Sequence, residues 1–196
     1  MRRTGAVGVV VAIALLAVAC SGPKDPAPPG GTTDRGHAVR LVVLGDQRAV
    51  GDPVADPLHD GWPQVLFRTK LPSRTVYVDL AGDHETVADV RSGQLSRLAP
   101  LDPTLVIVWV GSEDEQRGTD ETAFTDDLVA VVDAVRAGGA QVVLIAGAPF
   151  HDAISRIGAE HGAKVADVSG IDVEGGGQQA QQQVADQVNK AIGPLS

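Results

Sequence analysis

Five short apolar runs recur along the chain: Val39 to Leu44, Thr75 to Val78, Leu105 to Val110, Gln141 to Ala146 and Lys164 to Val168. Most are β-branched and continuous rather than alternating, the pattern of strands buried on both faces of a parallel sheet. Between them the apolar positions recur at helical spacing: Trp62, Val65, Leu66 and Thr69, then Val87, Val90 and Leu98, then Phe124, Leu128, Val131, Val132 and Val135. Ile154 and Ile157 follow the fourth run, and Ala180, Val184, Val188, Ala191 and Ile192 follow the fifth. Strand and helix therefore alternate, which predicts a doubly wound, three-layer α/β sandwich around a five-stranded parallel sheet of flavodoxin-like type. The breakers agree: Gly138-Gly139 ends the third helix, Gly162 ends the fourth and Pro103 precedes a strand. No internal repeat is present. Residues 38–196 have the size of one domain and are enough to bury a core without staples.

Ahead of that domain the pattern changes. Arg2 and Arg3 precede an uncharged stretch from Thr4 to Ala19, shorter than the roughly 20 apolar residues that span a bilayer, and residues 1–19 read as a signal peptide. Leu16-Ala17-Val18-Ala19-Cys20 resembles a bacterial lipobox, with Ala17 where leucine is more usual, so Cys20 is the expected lipid attachment site. Ala17 and Ala19 also satisfy the small-x-small rule of ordinary secretory cleavage, which leaves a freely secreted protein as the alternative. Cys20 is the only cysteine, so no intrachain disulfide can form. Residues 20–37 hold four prolines and no apolar periodicity, and read as a tether reaching at most roughly 50 Å.

Charge narrows the partners. Removing residues 1–19 takes away Arg2 and Arg3 and no acid, so a formal charge of −9 becomes −11. So acidic a body argues against nucleic-acid binding, and the expected membrane contact is through the N-terminal lipid, on the extracytoplasmic side of the cell membrane.

Ligands of open parallel sheets sit outside the carboxyl ends of the strands, so the loops there carry the candidate chemistry. They are Gly45 to Gly51, Asp79 to Thr86, Gly111 to Glu115, Ala148 to Asp152 and Ser169 to Gly177. The first holds neither a Walker sequence nor Gly-x-Gly-x-x-Gly, so no nucleotide cofactor is expected. No compact metal motif such as His-Glu-x-x-His occurs, and no metal is assigned, although Asp46, His84, Glu113, Asp114 and Asp172 would form an acidic cluster if they converged on one cleft.

Four stretches, in order, resemble the SGNH (GDSL-type) hydrolases: Val42-Val43-Leu44-Gly45-Asp46; Gly61-Trp62-Pro63 with Leu66; Thr86 to Leu95; and Asp102 to Gly111. In that family a serine attacks an acyl carbon, a histidine takes its proton, an aspartate orients the histidine, and a glycine amide with an asparagine side chain holds the oxyanion. The resemblance places Gln47 at the serine, His84 at the glycine, Glu113 at the asparagine and Gly175 at the histidine. Asp46, Gly111, Asp114 and Asp172 are retained. A glutamine amide has no lone pair free for attack, because its nitrogen electrons are delocalised into the carbonyl. The resemblance therefore implies a degenerate, non-catalytic member with a binding or scaffolding role, whose pocket candidates are Asp46, Gln47, His84, Gly111, Glu113, Asp114 and Asp172. An acyl, glycan or cell-wall ligand would fit such a crevice, and no residue selects among them. The alternative is an ester or acyl hydrolase with a rearranged site, for which Ser112 with His84 or His151 is the available pair. Trp62 and Trp109 are expected in the core, and the glutamines from Gln178 to Gln183 on a polar helix face.

Overall fold

The computed structural model describes residues 38–195, so the expected signal peptide, Cys20 and the whole tether lie outside the described residues. The five apolar runs form strands β1 (Arg40–Gly45), β2 (Val76–Asp79), β3 (Leu105–Trp109), β4 (Gln141–Ala146) and β5 (Lys164–Asp167). All pair in parallel in the order β2-β1-β3-β4-β5. Register places Val42 between Val78 and Val106, and Val106 opposite Val142. The central strands β1, β3 and β4 are the continuous apolar runs because both their faces are covered.

Each face packs its own core. Val42, Leu44, Val106, Val108, Val142 and Leu144 meet Val87, Val90, the apolar stripe of a long helix α6 (Glu121–Ala137) and Ile154 and Ile157 of α7 (His151–His161). On the other side Leu41, Val43, Leu105, Ile107, Val143 and Ile145 meet α3 (Trp62–Thr69) and α8 (Gly177–Ile192). Trp62 and Trp109 are core residues as expected, with ring centroids 5.9 Å apart. The Trp62 indole N–H donates to the Arg48 carbonyl at 2.9 Å, which ties α3 to the loop after β1.

Two sequence expectations need correction. The second helical segment is not one helix: α4 (Val87–Asp89) passes into a π-helical turn, Val90–Gln94, and then into 3₁₀ turns at Leu95–Arg97 and Ala99–Leu101. The wider π turn brings the buried Gln94 amide onto Gly45, accepting from its N–H and donating to its carbonyl, both at 2.9 Å. That polar contact outweighs helical regularity. The glutamine run is also not wholly a polar face. Gln181 is completely buried and its Oε1 accepts the Trp62 backbone N–H at 2.9 Å, one of the donors that the start of α3 leaves free. Three short helices fall outside the periodicity altogether: α1 (Gln47–Val50), α2 (Pro57–Asp60) and α5 (Ser112–Arg117). Each is too short to show an apolar stripe.

Candidate functional site

β1 lies between β2 and β3, so the crevice at the carboxyl ends of β1 and β3 is where the strand order reverses. Asp46 occupies it. Its Oδ1 accepts the Arg48 N–H at 3.0 Å and caps α1, while Oδ2 accepts both the N–H and the hydroxyl of Ser112 at 3.0 and 2.7 Å. One carboxylate thus joins the loop after β1 to the start of α5 after β3. The side chain is fully buried, and burial pushes its pKa above the ordinary carboxylate value against the pull of those three donors. Asp114 is buried beside it, accepting the Val87 N–H at 3.0 Å, and burial likewise raises its pKa, with the Asp46 charge acting in the same direction.

Asp46→Ala would strand two Ser112 donors and remove the α1 cap, a loss of about 3 kcal/mol. In a domain of this size that lowers Tm by roughly 6 to 12 °C, measurable by circular dichroism. Asp46→Asn adds a pH signature. As the folded pKa is raised, the unfolded chain ionises first, so the ionisation penalty builds up above pH 3.8 and is relieved on acidification. The Tm difference between wild type and Asp46→Asn should therefore shift in favour of wild type as pH falls through the raised folded pKa toward 3.8.

The remaining candidates do not gather around Asp46 in one open pocket. Gln47 begins α1 and is half-buried, lining a cavity of about 140 Å³ with Arg48, Ser112 and Glu174. Gln47 Oε1 is sealed from solvent and meets no donor among the described residues. His84 projects outward, its side chain 80% exposed, and lines a separate, shallower cavity of about 500 Å³ with Asp89, Arg97 and Arg117. Its backbone φ of 60° lies in the left-handed region where the family's glycine is at ease. Glu113 is buried between two partners: Oε1 accepts from Arg117 Nε at 2.7 Å and Oε2 lies 3.4 Å from His84 Nδ1. The Arg117 bond first, and His84 after it, hold the Glu113 pKa below the ordinary value, so the position where the resemblance places an asparagine amide carries a negative charge. Gly111 is buried with φ 121°, and a Cβ there would lie 3.1 Å from the Phe150 ring. Asp172 is exposed, and its Oδ1 accepts the Gly175 N–H at 2.9 Å.

No serine–histidine pair forms where the sequence offered one. The Ser112 hydroxyl is committed to Asp46, His84 faces Glu113, and His151 lies between Asp152 and Asp167 at 2.9 and 3.3 Å. Among the described residues no three His, Cys, Asp or Glu side chains are placed to hold a metal ion.

Sequence reasoning passed over the residue that spans the crevice. Arg48 donates from Nε and Nη2 to Glu174 Oε1 at 3.1 and 2.8 Å, and from Nη1 to the Ala148 carbonyl at 2.9 Å. It had no signal of its own, being a lone arginine whose partners lie 100 and 126 positions away. Gln94 was visible only as part of a family-like stretch.

The sequence matches the GDSL-like lipase/acylhydrolase family over residues 43–192. The fold is similar to that of a lipolytic protein of the G-D-S-L family from Desulfitobacterium hafniense, at 16% identity and a TM-score of 0.64, covering 78% of this chain and 99% of that one. It is also similar to TesA, at 22% identity and a TM-score of 0.66, over 80% and 99% of the two chains. A psychrotrophic esterase from Pseudoalteromonas, solved with monoethylphosphonate as inhibitor, aligns at 20% identity and a TM-score of 0.60, over 78% and 96%. No curated protein sequence matches the chain.

Proposed function

Since the chain belongs to the GDSL-like lipase/acylhydrolase family, we propose that it keeps the family's frame and has left its chemistry, serving as a lipid-anchored extracytoplasmic binding or scaffolding protein. The observation that carries this reading is that Gln47, which the resemblance places at the nucleophile position, lines one cavity with Glu174, the neighbour of the Gly175 that the resemblance places at the base. The family reaction needs an oxygen nucleophile, a base to deprotonate it and an oxyanion site that tolerates negative charge. Gln47 supplies no nucleophile and Gly175 no base, while Glu113 puts an anion where an amide would donate. An unpaired carboxylate about 4 Å from a developing oxyanion would repel it by roughly 4 kcal/mol at an effective dielectric near 20. The Arg117 contact on Glu113 offsets part of that repulsion, but it cannot replace the two missing catalytic groups.

The rearranged hydrolase is the second reading, supported by the esterases among the structural neighbours and by Ser112 at the rim of the 140 Å³ cavity. Against it, the Ser112 hydroxyl donates to a buried carboxylate, and among the described residues no histidine hydrogen-bonds to it to relay the proton. Hydrolysis of short acyl esters by the wild-type chain decides between the two.

The anchor is tested separately. Cys20→Ser should move the protein from the membrane fraction to the medium or periplasm and abolish incorporation of labelled palmitate. Continued membrane recovery of that variant would refute the lipoprotein assignment.

A further inference from the structure

The Arg48 contacts do more than join neighbours. One guanidinium, whose side chain is only 21% exposed, holds the loops after β1, β4 and β5 together at the carboxyl edge of the sheet. Arg48 is adjacent to Gln47 and Glu174 is adjacent to Gly175, so the ion pair lies directly across the two positions between which the family does its chemistry. Both residues of the pair line the 140 Å³ cavity, as does Gln47, whose Oε1 is shut from solvent and meets no donor among the described residues.

The closed arrangement carries its own opposing force. Glu174 is 65% exposed, so its pairing with Arg48 is a partly solvated contact of modest strength. An acceptor shut away from water without a donor costs a comparable amount, and that cost disappears once water reaches it. Strap and penalty are of the same order, which is the condition for two states of similar stability.

We propose that the Arg48–Glu174 pair is a strap that closes the crevice between residues 47 and 175, and that any ligand of this crevice gains access when Glu174 releases Arg48. This rests on the reading of the crevice as a binding site. Release would free the loop after β5, widen the mouth of the small cavity and give Gln47 Oε1 a donor from water or from the ligand.

The test uses the full chain with Cys20→Ser and Gln47→Cys, so that residue 47 carries the only thiol, and measures its reaction rate with neutral iodoacetamide. Adding Glu174→Gln should accelerate labelling roughly three- to tenfold. Raising salt to 1 M, where charges are screened beyond about 3 Å, should accelerate the strapped protein and leave the Glu174→Gln form unchanged. A global loss of stability would not remove the salt response, so that response separates a strap from general loosening. Equal labelling rates with and without Glu174→Gln would overturn the proposal. If Gln47→Cys does not fold, hydrogen exchange at Gly175 and Gly176 in the chain with an unsubstituted Gln47 replaces it: faster exchange in Glu174→Gln supports the strap, and identical exchange refutes it. Neither readout involves turnover. An active wild type would sink the non-catalytic reading and leave the strap standing, and equal rates would do the reverse.

Discussion

Gly45→Ala should not yield a folded protein. Gly45 ends β1 with φ 139°, a conformation that L side chains rarely adopt, and a Cβ built there would lie 1.8 Å from the Trp109 carbonyl oxygen and 2.9 Å from the Ala49 side chain. The carbonyl cannot retreat, because it accepts the Asp46 N–H at 3.1 Å and belongs to the central strand β3. Nor can Gly45 move away, since its N–H and carbonyl are both held by Gln94 and its carbonyl also accepts the Gly82 N–H at 3.1 Å. Strain and overlap together exceed the roughly 4 to 5 kcal/mol that marks an exceptional single substitution, a large share of the roughly 5 to 15 kcal/mol that holds a domain together. Gly118→Ala is the control. Its φ of 67° is also left-handed, but nothing lies within 4 Å of the added Cβ, so the cost should stay near about 1 kcal/mol. Soluble expression and thermal unfolding of the two variants would check both. A folded Gly45→Ala protein with a near-native Tm would show that β1 and β3 do not approach as described.

The same glycine marks how far sequence could be followed. Strands β1, β3 and β4 were legible because burial on both faces writes a continuous apolar run, and α6 because its stripe spans the helix with Gly138-Gly139 at its end. The segment after β2 was misread as one helix, since Val87 and Val90 keep helical spacing while the break is caused by Gln94 reaching a partner 49 positions away. Of the site, the apolar runs placed Asp46 and Gln47 just after β1 and Gly111 and Glu113 just after β3. What they could not show was direction: that Asp46 and Asp114 turn inward as buried struts, that His84 turns outward, and that Arg48 crosses the crevice to Glu174. Those outcomes depend on long-range pairing of single polar side chains, which leaves no periodic trace.

If an intact frame stands without its chemistry, restoring the chemistry should return activity. Gln47→Ser with Gly175→His puts a nucleophile and a base at the positions where the resemblance places them. A Cβ at position 175 would meet Asp172 Oδ2 at 2.6 Å, so the exposed carboxylate must swing aside, which leaves it beside the introduced imidazole that it would orient. In a serine hydrolase, losing the serine or the histidine costs about 10⁶ in kcat, with roughly 10³ to 10⁴ over water surviving through the oxyanion site and binding alone. With Glu113 still where the resemblance places the oxyanion-holding asparagine, the double variant should recover only part of that range, about 10² above background. Adding Glu113→Asn and His84→Gly should raise the rate further, by at most about 10³, the size of the electrostatic penalty removed. No gain in any variant would mean that residues 47 and 175 do not face each other across a usable site.

The wild-type protein decides the matter most directly. Purified chain should hydrolyse p-nitrophenyl acetate and short acyl thioesters at the buffer rate, with or without a chelator. Turnover above that rate which survives repurification and disappears in Ser112→Ala would contradict the account and make this chain a hydrolase with a rebuilt nucleophile.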